Sequence, residues 1–139
     1  MATLTATAAQ STSPAINNVT GSLTRVVRYA AAAALSAGDI IQMMKLPMGA
    51  VVTEVAFGAS LSAGAVTVIV GDGNNKSAYA AASVLSGSGV FVASLPYVGF
   101  GRSYSAEDTV DIEVTAVSAA PGTADIFLKI EYTMQNGGN

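Results

Sequence analysis

Two segments near the C-terminus constrain this chain's fold more than any other feature. Thr109 to Val117 (TVDIEVTAV) and Ala124 to Tyr132 (ADIFLKIEY) alternate apolar and polar residues with a period of two. Val110, Ile112 and Val114 face one way, and Asp111, Glu113 and Thr115 the other. In the second segment Ile126, Leu128, Ile130 and Tyr132 oppose Asp125, Lys129 and Glu131. This is the pattern of strands with one face in a core and one outside it. Pro121-Gly122 marks the turn between them.

The same β-like texture runs upstream in short pieces. Leu23 to Tyr29 alternates loosely, with Thr24, Val26 and Arg28 on one face and Leu23, Arg25, Val27 and Tyr29 on the other. Ser36-Ala37-Gly38-Asp39 reads as a turn. Asp39 to Leu46 is the next run, and Pro47-Met48-Gly49 closes it. Ala50 to Phe57 follows, then a small-residue connection over Gly58 to Gly64, then the β-branched run Ala65 to Val70, which suits a central strand. Tyr79 to Leu85 reads equally as a strand or a short helix. Val90 to Leu95 and Phe100 to Tyr104 complete the series. No segment carries convincing helical periodicity, which argues against an α/β fold. The expected fold is all-β: an antiparallel β-sandwich or jelly roll of seven or eight strands in one domain, residues 22–133. Residues 1–21 precede it as an uncharged Ala/Thr/Ser/Asn block broken by Pro14, and residues 134–139 follow as a flexible tail. The N-terminal block reads as an arm, extended or disordered until bound. Its 20 residues span up to about 65 to 70 Å, enough to reach a neighbouring subunit.

The side-chain inventory excludes most chemistry. There is no His and no Cys, so a zinc site of the usual kind, a His-based triad, a thiol nucleophile and a disulfide are all absent. Charged residues are 11% of the chain, against about 25% in ordinary soluble domains. The net charge is -3 with the basic residues scattered singly, which argues against a nucleic-acid surface. No apolar stretch approaches the ~18 to 20 residues that cross a bilayer. The N-terminus lacks the basic and apolar regions of a secretory signal. The paired carboxylates Asp111 and Glu113 lie side by side on one strand face, not across a cleft as a glycosidase requires. Gly71-Asp72-Gly73-Asn74-Asn75-Lys76-Ser77 lacks the glycine a phosphate loop needs directly before its Lys, and it lacks the closing Glu of a calcium loop. It reads as a strand-connecting turn. No catalytic, metal or cofactor residue emerges, and the chain reads as a non-enzyme.

What remains points to covered surface. Phe127 sits on the polar face of its strand, and Met43 and Met44 cannot both enter one core under strict alternation. With the sparse charge, these suggest subunit contacts. Pro14 and Ile16 in the arm, Arg25, Met43 and Phe127 are the candidate contact residues. Tyr97, Phe100 and Tyr104 form the only aromatic cluster, a candidate ligand platform.

Several segments together resemble a known group. They are Ala37-Gly38-Asp39-Ile40-Ile41, Lys45-Leu46-Pro47-Met48-Gly49-Ala50-Val51-Val52, Val70-Gly71-Asp72-Gly73, Tyr97 through Tyr104, Asp108-Thr109-Val110-Asp111-Ile112-Glu113-Val114 and Pro121-Gly122-Thr123. The chain is similar, from about residue 23 to 133, to small head decoration (cement) proteins of tailed bacteriophages. The resemblance implies a β-sandwich on the outer capsid surface of the virion, made in the bacterial cytoplasm. It also implies two partners, the major capsid protein and further copies of the chain, typically as a homotrimer. The alternatives are another virion component (neck, tail or head fibre) and a carbohydrate-binding β-sandwich.

Overall fold

The computed structural model describes residues 2–6, 22–92 and 99–134. It contains seven strands: β1 (Thr3–Thr5), β2 (Ser22–Ala30), β3 (Ile40–Leu46), β4 (Ala50–Asp72), β5 (Ala80–Val92), β6 (Asp108–Val117) and β7 (Ala124–Met134). No helix occurs among the described residues. The strands bond in the order β1-β3-β6-β4-β7-β2, and β5 lies on the other edge of β4. All pairs are antiparallel except β1–β3, which is parallel. The all-β expectation holds, as one sheet curled over a single core.

The curl originates in β4. On one edge it pairs with β7 over Ala50 to Leu61 and with β6 over Val66 to Asp72. Its other edge pairs with β5 along both stretches, from Ala56 to Val70. The sequence reading splits this region into two strands joined by Gly58 to Gly64. The structure runs one strand of 23 residues instead. The connector stays extended because Gly58, Ala59 and Ser60 find ladder partners on both sides, Phe127, Ile126 and Asp125 on β7 and Val90, Gly89 and Ser88 on β5. The handover occurs at Gly64, whose φ of +73° suits glycine. A Cβ there would lie 2.4 Å from Ser118 Oγ and 2.9 Å from the Ala120 carbonyl, so the β6–β7 turn packs against bare backbone. The candidate strand Tyr79 to Leu85 and the first residues of Val90 to Leu95 likewise merge, into β5, which ends at Val92; the rest of that second run lies outside the described residues. Phe100 to Tyr104 forms a turn attached to β4 by one bridge, Val51 to Ser103.

The two halves of the curl meet around Ile41, Leu46, Phe57, Val68, Ile112, Leu128 and Tyr132, all buried. The C-terminal alternation appears as expected: Val110, Ile112 and Val114, and Ile126, Leu128, Ile130 and Tyr132, are fully buried. Met43 corrects the sequence reading. It and Met44 are both fully buried. Gln42 pairs with Asp111 and Met44 with Val110, so Met43 is the extra residue of a β-bulge. The bulge shifts the side-chain phase, which turns Ile41, Met43, Met44 and Leu46 all inward. Met43 is therefore core, not a contact residue.

The first part of the N-terminal block is also engaged within the chain. Thr3–Thr5 add to β3, opposite Ile40, Ile41 and Gln42. The Ala6 N–H donates to the Gln42 carbonyl at 2.9 Å, and Ala6 is buried. Asp39, buried in the turn before β3, accepts from the N–H of Ala2 at 3.2 Å and of Ser36 at 2.9 Å. Pro14 and Ile16 lie outside the described residues, as does most of the block.

The bulge makes a direct prediction. Met43→Ala and Met44→Ala should each lower the unfolding free energy by about 2 to 5 kcal/mol, the cost of emptying a packed methionine site. Urea denaturation of the two variants checks this. A Met43→Ala variant as stable as the wild type would contradict the assignment.

Candidate functional site

The strongest concentration of polar chemistry lies where the β4–β5 loop meets the segment before β6. Asp72 ends β4 and is almost completely buried, at 1% exposure. Its Oδ1 accepts from the N–H groups of Asn74 at 3.0 Å and Asn75 at 2.8 Å, which fixes the turn chosen by the Gly-Asn-Asn sequence. Arg102 clasps the same carboxylate with both ends of its guanidinium, Nη2 to Oδ1 at 3.0 Å and Nε to Oδ2. The Tyr104 hydroxyl donates to Oδ2 at 2.9 Å and bonds the hydroxyl of Tyr79. Arg102 and Tyr104 are held there because residues 101–104 run along the start of β4. Val52 N–H donates to the Arg102 carbonyl at 3.0 Å, and Tyr104 N–H to the Ala50 carbonyl at 3.0 Å.

The electrostatics follow from this geometry. Burial alone would raise the Asp72 pKa. The bonds from Arg102, the Asn75 N–H and the Tyr104 hydroxyl outweigh it and hold the carboxyl below its ordinary value. The bond to Asp72 raises Arg102 further, and burial raises both tyrosines. Every group is committed to a partner inside the chain, and no proton is poised near neutrality. A hollow of about 130 Å³ beside the network, lined by Asn74, Ser105 and Asp108 among others, contains no nucleophile–base pair. No group of three or more metal-ligating side chains occurs among the described residues. The loop read from sequence as a turn is a turn, and its single carboxylate is used by Arg102. This cluster is a structural clamp between two loops.

The sequence reading missed the clamp. Asp72 was visible as a turn residue, but Arg102 and Tyr104 lie 30 and 32 positions away, and nothing in their spacing marks the pairing. Of the candidate aromatic cluster, two members are described and their burial differs. Tyr104 is buried in the clamp, Phe100 is 67% exposed, and Tyr97 lies outside the described residues. Tyr104 therefore has no free face on which to stack a sugar.

Asp111 is the group the clamp leaves uneasy. It faces outward on β6, opposite Gln42 of β3 and Gly71 of β4. A Cβ on Gly71 would lie 2.1 Å from the Asn75 carbonyl oxygen, so the β4–β5 loop is folded down over this face. Asp111 Oδ1 is buried with no hydrogen-bond partner. Its neighbour Glu113 has Lys76 at 2.9 Å, whereas Asp111 has no cation. Burial pushes its pKa up to about 6; a bond from Thr109 lowers it, and the charges of Asp108 and Asp72 raise it.

The remaining candidates lie on β2 and β7. Arg25 is half-buried on the inner side of β2 and donates from Nη1 to the Lys45 carbonyl at 3.2 Å, so it ties β2 to β3 within the chain. Phe127 is half-buried on the outer face of β7, opposite Gly58 on β4 and Arg28 on β2. The Arg28 guanidinium lies 5.7 Å from its ring centre while pairing with Asp125. Val26, 69% exposed, is next to this group. Five of the six cations are ion-paired within the chain, Lys129 with Glu54 at 3.0 Å and Lys45 with Glu107 at 3.7 Å among them. The sixth is Arg25. This leaves no basic patch for a polyanion.

No family model and no curated protein matches the chain. Solved structures do. A chain from the capsid of Ralstonia phage GP4 superposes with a TM-score of 0.76 at 22% identity, covering 97% of this chain and 99% of that one. A chain of the cyanophage Pam1 capsid asymmetric unit gives 0.66 at 21% identity, over 90% and 94%. A chain of the acid-stable capsid of Helicobacter pylori bacteriophage KHP30 gives 0.55 at 14% identity, over 82% and 92%. The curled sheet is thus a fold found in phage capsids, matched along nearly its whole length.

Two outcomes follow. Arg102→Ala should cost about 3 to 5 kcal/mol, because it leaves the buried Asp72 carboxylate unpaired; denaturant unfolding measures this. Asp111 binds a proton in the folded chain at a pH where the unfolded chain has lost it. Folding should therefore strengthen as pH falls from about 7 towards 5, by on the order of 1 kcal/mol. Asp111→Asn should remove that slope and raise stability at pH 7. Unfolding curves from pH 5 to 7 check both, and a wild-type slope of opposite sign would refute the assignment.

Proposed function

We propose that the chain is a bacteriophage structural protein that binds the outer surface of an assembled capsid and stabilises it. The observation that carries this reading is the end-to-end likeness to chains of phage capsid structures, 97% of this chain against 99% of the GP4 chain. The site chemistry is consistent with it. The buried polar cluster around Asp72 is consumed internally, and the cations are held within the chain. A decoration protein needs a rigid scaffold and a contact surface, and no reaction.

The physical mechanism is linkage. A protein that binds only the assembled shell stabilises that shell by mass action. Weak single contacts multiply over many symmetric copies and over any association among the bound copies themselves. The face around Phe127 is the contact surface this reading favours. It carries an exposed Val26 and a half-buried aromatic ring, beside charges already neutralised in pairs. Docking there costs little charge desolvation.

The test is reconstitution. Purified protein added to shells that lack it should bind to saturation at a fixed ratio and raise the temperature at which the shells disrupt. Phe127→Asp should lower occupancy at least tenfold. Its cost to the isolated fold, about 2 to 3 kcal/mol for the ring's burial together with the cation–π contact, is measured separately by urea unfolding so that lost occupancy is not mistaken for lost folding. Image reconstruction then locates the protein on the particle. Density in the neck or tail, or within the shell lattice itself, would overturn the decoration reading.

A further inference from the structure

Among the described residues the sheet has three open edges, and two of them are blunted in the ways proteins ordinarily protect an edge. β1 is only three residues long. β2 carries Arg25 and Arg28, and Arg25 reaches across to β3. The third edge, β5, differs. It is 13 residues long (AAASVLSGSGVFV) and contains no charged residue and no proline. Among the described residues it pairs with β4 alone. Its irregularities against β4 leave two regular stretches, Ser83 to Ser86 and Ser88 to Val92. Val84, in the first of these, is 59% exposed.

The glycines of this strand add an independent observation. Gly87 has a φ of +60° and needs to be glycine. Gly89 does not. It has no positive φ, and a Cβ there would meet nothing within 4 Å. Glycine inside a strand weakens it, and one with neither a backbone nor a packing reason often marks the close approach of a second backbone.

We propose that the outer edge of β5 is an interface that pairs antiparallel with β5 of a second copy of this chain. A second copy is the partner that an uncharged edge fits best, pairing along the two regular stretches on either side of Gly87. Two identical edges complement each other donor for acceptor across a two-fold axis, and the contact closes without propagating. The strand has no charge to repel its own copy. Residues 83–92 supply the ladder, and Val84 meets its neighbours beside it. This pairing does not depend on the capsid reading, since it is a property of the chain by itself.

The chain has no cysteine, so introduced thiols report cleanly. Ser83→Cys, Ser86→Cys and Ser88→Cys are oxidised mildly and separately, and the species are resolved by non-reducing electrophoresis. Light scattering gives the solution mass of the wild type and of Val84→Lys, and amide exchange follows residues 83–92. The expected result is a wild-type mass of twice the chain, with slowed exchange along β5; a mass of three times the chain, the homotrimer that the sequence resemblance implies, would overturn the two-fold pairing. At least one cysteine position, nearest the axis, should cross-link efficiently. Val84→Lys should weaken association at least tenfold while circular dichroism stays unchanged. A monomer at tens of micromolar with no cross-link at any position would overturn the proposal. So would an oligomer whose β5 amides exchange freely, or protection of β5 that arises only on a shell. Capsid binding by a Val84→Lys monomer would leave the decoration reading standing while association is tested alone.

Discussion

β4 is the constraint on which the rest of the structure depends. A strand has two edges, and this one serves three partners: β5 on one side, and β7 then β6 on the other. Handing one edge from β7 to β6 requires the strand to turn without losing its ladder. The small residues Gly58, Ala59 and Ser60 and the left-handed Gly64 permit this. Once β4 bends, β6 and β7 are carried to opposite sides of the core, and β3 and β2 follow on their outer edges. The two-faced alternation of β6 and β7 then fills the space between with Ile112, Val114, Leu128 and Ile130.

The clamp at Asp72 serves the same strand. β4 ends on a buried carboxylate, which would be costly without compensation. Arg102, Tyr104 and two loop amides satisfy it, and the segment that carries Arg102 and Tyr104 is itself bonded to the start of β4. Both ends of the long strand are thus tied to one loop. The chemistry that looks most like a functional site is a fastening, and the reactive capacity of each group is spent on holding it.

These two features also explain what was legible in the sequence. The alternation of Thr109 to Val117 and Ala124 to Tyr132 gave strands, faces and core residues, because period-two burial is written locally. So was the turn at Gly71 to Lys76. The merging of two runs into β4 was not, since Gly58 to Gly64 looks like a linker unless both flanking strands are known. Met43 was misplaced because a bulge is a property of the pair, and nothing in IIQMMKL says that β6 is one residue shorter opposite it. Arg102 has no local signature at all. The break in alternation at Phe127 is legible in the sequence, and the residue lies on the outer face of β7 against Arg28.

The charge balance now has a structural account. Five carboxylates answer five of the six cations, which leaves Arg25 against Asp39, Asp108, Asp111 and Glu131 and gives the net charge of -3. Asp39 is occupied with backbone N–H groups, and Asp108 and Asp111 stand together at the start of β6. The acidic sign therefore comes from four scattered positions, two of them (Asp108 and Asp111) beside the β4–β5 loop, one in the turn before β3 and one on β7. Elsewhere the exterior is small, neutral or internally paired. Such a surface gives other proteins little electrostatic reason to stay away, and specificity must then come from shape and from backbone pairing. The two proposed contact surfaces, the long neutral strand β5 and the face around Phe127, fit that requirement, and β4 lies between them.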